Sequence, residues 1–143
     1  MRYPIPLTLA ELVSRKDCPV KGRVVLAWRK AMPSGTTLRM FRNLDGVTAV
    51  RSYSFTVASA CPCDPGDTVI LCDGLEEPAP WGVHKRVLAQ AWQLMKADAV
   101  MYIILRTGSG VSSGDVKRML SGYYRTIRVM STENKKHKIV RCQ

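Results

Sequence analysis

The sequence predicts an α/β fold built on a mostly parallel sheet, with an antiparallel strand at or near one edge. Three observations lead there. From residue 67 onward, a strand ending in Asp-Gly (DTVILCDG, 67–74), an amphipathic helix, an apolar strand, a second helix and a close strand pair follow in order. The run AVMYIIL (99–105) has no polar alternation, so it reads as a strand buried on both faces, as in the middle of a parallel or mixed sheet. With 143 residues, 46% of them hydrophobic and 23% charged, the chain has material for one real core and lies far from the composition of disordered chains. A single domain over residues 1–143 is expected.

The elements follow one by one. Thr8 is placed to cap a short helix, LAELVSRK, with Glu11 three residues on completing a capping box, and CPVKG (18–22) stops it. GRVVLAW (22–28) is β-branched and apolar, hence a strand. After the turn RKAMPSG, the alternation in TTLRMFRN (36–43) predicts a second strand, leaving the amino-terminal half poor in helices. Asp45-Gly46 turns the chain into VTAVRSYSFTVASA (47–60), another alternating run, and CPCDPGD is a loop before TVILCD. The next helix places Val83, Val87, Leu88, Ala91, Leu94 and Met95 on one face against Lys85, Gln90, Gln93 and Lys96 on the other. Beyond AVMYIIL, Ser112 or Ser113 caps GDVKRMLSGYY, and RTIRVMS and KIVRCQ flank the polar turn TENKK. In such sheets ligands bind outside the carboxyl ends of the strands, which singles out the loops at 28–35, 58–62, 73–78 and 106–110.

Charge bounds the partners. Lys and Arg number 22 against 11 acidic residues, a formal net charge of +11, which favours polyanions: RNA, DNA or anionic lipid. The basic residues form three groups in sequence, around Arg29 and Lys30, at Lys85 and Arg86, and at Arg125, Arg128, Lys135, Lys136 and Lys138. Tyr123, Tyr124 and Trp81 lie near them as stacking platforms, which makes RNA the favoured partner. A solvated surface is the ordinary fate of such charges, and the excess rather than their presence carries the reading. A membrane span needs roughly 20 apolar residues, and AVMYIIL is too short. No secretory h-region is recognisable at the start, and five cysteines (Cys18, Cys61, Cys63, Cys72, Cys142) are an odd number, so cytosol or nucleus is expected rather than secretion. The C-x-C at 61–63 lacks zinc spacing, so structural thiols and no metal are expected. His84 and His137, each beside Lys or Arg, read as parts of a solvated basic surface. Neither G-x-S-x-G nor a phosphate-cradling Gly-Lys-Ser/Thr loop occurs, which leaves hydrolase and triphosphatase readings without a motif.

DTVILCDG resembles the fourth-strand motif of the FtsJ-like ribose 2'-O-methyltransferases, and VHKRVLAQAWQLM resembles the helix that follows it there. MYIILRTGSG and YYRTIRVMSTENKKHKIVRCQ resemble that family's last three strands. The resemblance implies a Rossmann-like sheet, S-adenosylmethionine as the family's cofactor, and a Lys-Asp-Lys-Glu tetrad that activates a ribose hydroxyl. Carried over residue by residue, the Asp falls on Asp73. The first Lys falls near Thr8, the second on Ile103, and the Glu on His137 or Lys138, none of which suits its role. The turn after the first strand, RKAMPSG, lacks the family's glycines, and the expected strand at 36–43 leaves no room for the family's next helix. The resemblance therefore implies a degenerate, non-catalytic member without a bound cofactor, binding RNA or a protein partner, and a viral replication polyprotein is one setting that keeps such copies. Two alternatives stay open: an active S-adenosylmethionine-dependent RNA 2'-O-methyltransferase with a rearranged site, and a small basic viral matrix-type protein that binds nucleic acid or membrane.

Overall fold

The computed structural model describes residues 5–30, 32–55, 64–73, 75, 81–106, 112–133 and 136–143. Helix α1 (Ile5–Ser14) leads into β1 (Gly22–Trp28), then α2 (Gly35–Arg42), β2 (Val47–Ser54) and β3 (Gly66–Leu71). Next come α3 (Trp81–Gln93), β4 (Met95–Arg106), α4 (Ser113–Leu120), β5 (Ile127–Ser131) and β6 (His137–Cys142). The strands pair in the order β2-β1-β3-β4-β6-β5. β2, β1, β3 and β4 run parallel, while β6 lies antiparallel between β4 and β5. The expected α/β sheet is therefore present, with its antiparallel strand one place in from the edge.

Side-chain alternation sorts the core into two apolar layers. On one face Val25, Val69, Leu71, Met101, Ile103 and Val140 meet Val87, Leu88 and Ala91 of α3 and Val116 and Leu120 of α4. On the other, Val24, Leu26, Ile70, Tyr102, Ile104 and Ile139 meet Leu9 and Leu12 of α1 and Phe41 of α2. β1 and β4 are apolar at every central position because both of their faces are covered, and each fully buried Leu or Ile contributes about 1.5–3 kcal/mol. Gly22 opens β1 at φ +68°, and a Cβ there would run into the Asp67 carboxylate, which accepts the Arg23 N–H at 2.8 Å.

Two expectations are corrected in the amino-terminal half. Residues 36–43 form helix, not strand: the Ser34 side chain accepts the Thr37 N–H at 3.2 Å as an N-cap, and Thr37 and Phe41, one turn apart, are the buried pair. Eight residues fit either period, and the cap with its i, i+4 pair decides. α2 also has a topological task, because the parallel neighbours β1 and β2 need a crossover between them. Thr8 is not a cap; it lies inside α1, fully buried. By contrast Ser112 caps α4 as expected, with the full capping box to Asp115.

Candidate functional site at the carboxyl ends of the strands

From β1 the chain crosses through α2 to β2 on one side, and from β3 it crosses through α3, on the opposite face, to β4 on the other side. The order reverses between β1 and β3, so their carboxyl ends flank the crevice where this architecture binds ligands. Asp73, two residues beyond β3, sits there with 6% of its surface exposed. One carboxylate oxygen accepts the Arg29 N–H at 2.5 Å and the other the Lys30 N–H at 2.7 Å. Such charge-assisted bonds are about twice as strong as neutral ones, so they tie the turn after β1 to the end of β3. The Cys72 N–H donates to Ala27 O at 2.8 Å alongside, and the Trp28 indole donates to Ser52 Oγ at 2.8 Å.

The positions onto which the tetrad maps do not converge. Thr8 and His137 meet directly, Thr8 Oγ1 to His137 Nδ1 at 2.7 Å, on the face covered by α1. Ile103 belongs to the opposite layer, under α3 and α4. Asp73 is separated from His137 by β4. Burial, and secondarily the charge of Arg106, lowers the His137 pKa, so the ring is held neutral at neutral pH. The expectation of solvated histidines is overturned twice: His137 is 2% exposed and His84 4%. Basic neighbours in sequence mark the strand end and the helix, but strand alternation turns His137 inward and the helical period sets His84 on the same buried face as Val87, Leu88 and Ala91.

The basic candidates separate into two groups. Arg29 and Lys30 follow β1, Lys85 and Arg86 lie exposed in the early part of α3, and Lys136 and Lys138 sit at the start of β6, where Lys138 pairs in register with Leu105. All of these belong to the carboxyl-end half of the sheet. Arg106, the last residue of β4 and in register with His137, joins them and was missed in the sequence because it closes an apolar run. Arg125 and Arg128 do not join them: the Arg125 N–H donates to Gln143 O at the amino-terminal end of β5, and Arg128 pairs with Arg141. Lys135 lies outside the described residues.

Of the three aromatic candidates, Tyr123 is 44% exposed, Tyr124 is buried with its hydroxyl against Met95 Sδ at 3.1 Å, and the Trp81 side chain lies outside the described residues. Trp92, 46% exposed, was not singled out; its signal was a large aromatic on the polar side of an amphipathic helix. Cys18, Cys72 and Cys142 are buried and unpaired with one another. Burial pushes the Cys18 thiol up to about 11 and the Cys142 thiol up to about 12, which keeps both protonated and inert. Cys61 and Cys63 lie outside the described residues. Among the described residues no cluster of three His, Cys, Asp or Glu could hold a metal, and no helix is long and apolar enough to cross a membrane.

No family model and no curated protein matches the chain. Solved structures do, and they are methyltransferases. The S-adenosylmethionine-dependent methyltransferase SibL in its apo form matches at TM-score 0.71 and 10% identity, over 96% of this chain and 54% of its own. The DhpI–SAH complex matches at 0.68 and 13% identity, over 97% of this chain and 85% of its own. A T. thermophilus 16S rRNA methyltransferase in complex with AdoMet and guanosine matches at 0.62 and 13%, over 100% of this chain and 43% of its own. The chain thus spans about half the length of some of these proteins and most of others. The likeness is one of fold: a Rossmann-like methyltransferase sheet.

Proposed function

We propose that this chain is a methyltransferase-like domain that binds RNA and does not transfer methyl groups. The observation that carries the reading is the Asp73 carboxylate, both of whose oxygens are engaged by the backbone N–H groups of Arg29 and Lys30. A catalytic Asp of the FtsJ-like type has to orient a lysine, and the positions corresponding to the two lysines are Thr8, committed to His137, and Ile103, in the apolar layer on the other side of the sheet. S-adenosylmethionine fits this turn poorly, because the first two N–H donors that follow β1 already serve the protein's own carboxylate. The excess of positive charge, with Arg29, Lys30, Lys85, Arg86, Arg106, Lys136 and Lys138 in the carboxyl-end half of the molecule, supports RNA as the polyanion. A replication polyprotein of viral origin remains part of this reading as the setting that the sequence resemblance implies.

The active-enzyme alternative draws on one specific observation: α2 follows β1 after all, so the strand-turn-helix order of a cofactor-binding unit is intact. The matrix-type alternative started from a fold unrelated to methyltransferases, and the parallel sheet gives it no support. Calorimetric titration with S-adenosylmethionine and S-adenosylhomocysteine decides between the first two. No heat at millimolar ligand, together with RNA binding whose affinity falls steeply with salt, is the expected result. Methyl transfer to RNA by the purified protein, abolished in Asp73→Ala, would overturn it.

A further inference from the structure

The opposite end of the sheet carries a second open concavity. A cleft of about 570 Å³ runs along the first residues of β4, between the end of α3 and the segment leading into β5, and Gln143 closes one side. Its volume falls within the roughly 300–1,000 Å³ that small-ligand sites occupy. Trp92 and Tyr123 form its aromatic wall, ring centroids 5.6 Å apart and inclined at 49°, each almost half exposed. Buried Tyr124 packs edge-on beneath Trp92 at 5.4 Å and fixes the indole from behind. Arg125 is exposed at the cleft, as is Lys96, whose ammonium lies 3.2 Å from Asp67. Asp98 is exposed in the same cleft.

We propose that this cleft takes an unpaired nucleobase of single-stranded RNA, stacked on Trp92 and Tyr123, with its phosphate on Arg125. The proposal rests on the reading that RNA is the partner but concerns a different surface from the carboxyl-end rim. Aromatic faces left half in water on a folded domain gain by covering themselves, and a base offers a flat π-face of the right kind. A duplex does not, because its bases are already stacked. Asp98 supplies an acceptor for a base edge and the Gln143 amide a donor, its Oε1 accepting from Arg141 at 3.3 Å, and a lipid chain would leave both unmatched. The net charge of +11 brings the polyanion to the surface.

Fluorescence anisotropy with a labelled 12-nucleotide single-stranded RNA and a duplex of the same length tests this on the full chain. Trp92→Ala is expected to weaken single-strand binding about 5- to 100-fold and leave duplex binding unchanged, whereas Trp92→Phe retains most of the affinity. Arg125→Ala should lower the slope of log affinity against log salt by about 0.7, the loss of one single-strand phosphate contact. Thermal melts of each variant separate lost binding from lost folding, and the Phe variant covers the case in which the Ala variant unfolds. If Trp92→Ala and Tyr123→Ala bind the single strand as the parent does, the cleft proposal fails while the RNA reading stands. If the parent binds neither RNA, both fail. Binding to phosphatidylserine vesicles that is lost in Trp92→Ala, without single-strand binding, would overturn the nucleobase and assign the cleft to a membrane surface.

Discussion

The two ends of the sheet differ in what their polar groups do. At the carboxyl ends, where this architecture usually binds its ligand, the N–H groups after β1 are satisfied by the protein's own Asp73, and the mapped tetrad positions lie on opposite sides of the sheet. At the amino ends, large aromatic rings remain open to water beside the exposed side chains of Arg125 and Asp98 and the surface pair Lys96–Asp67. The contrast teaches that a crevice at the strand ends can be closed from within, by a carboxylate on backbone donors. New binding surface can then arise wherever packing leaves aromatics unfilled.

The sharpest way to break the comparison is to give the carboxyl end back a missing lysine. Ile103→Lys puts an ammonium into the layer beneath α3 and α4, where 1% of the side chain is exposed, and is expected to cost more than about 4 kcal/mol or to prevent folding. Urea unfolding of a still-folded Ile103→Lys would show that this position has access to the crevice. Asp73→Ala comes next. Removing the acceptor of two part-buried N–H groups should cost about 1–3 kcal/mol, and a stability equal to the parent's would mark Asp73 as a functional carboxylate rather than a tie.

A smaller effect tests the same end by pH. The His137 pKa is lowered in the folded state, so the unfolded chain binds the proton more readily. Its contribution is complete above the ordinary histidine value of about 6.5 and is lost as pH falls from there through the lowered folded value. Denaturation midpoints measured between pH 7.5 and 5 should therefore drop for the parent and drop less for His137→Gln. Smallest is Trp92→Ala at the amino end, expected to cost about 1 kcal/mol or less in a thermal melt, since a half-exposed side chain loses little burial. A loss several times larger would mean that the indole is part of the core rather than an open wall.

The sequence was most legible where burial was two-sided. β1, β4, the apolar face of α3 and the closing antiparallel pair follow directly from unbroken apolar runs and from periodicity, and Ser112 with Asp115 marked α4. It was least legible where windows were short or context decided. TTLRMFRN alternates like a strand, yet the Ser34 cap and the Thr37–Phe41 pair make it helix. Thr8 has the composition of a cap, yet its hydroxyl is used 129 residues away on His137. Asp73 stood out as a strand end and as the tetrad position that the resemblance matched, but no local pattern could show that its partners are the N–H groups of Arg29 and Lys30. Trp92 and Tyr123 come together only because α3 and the segment before β5 share one end of the sheet.

The placement of β6 has a consequence for how the chain acquires its structure. Residues 137–142 come last among the elements, yet they form an interior strand, with β4 on one side and β5 on the other. While the polypeptide is emerging from the ribosome, the edge of β4 stays bare and β5 has no neighbour until Cys142 has been synthesised. A chain interrupted before Ile139 would expose Ile104 and Tyr102 along an unpaired apolar edge, open to another molecule in the same condition. The final six residues of the sheet therefore act as its latch, and nascent chains that lack them are the species most exposed to aggregation.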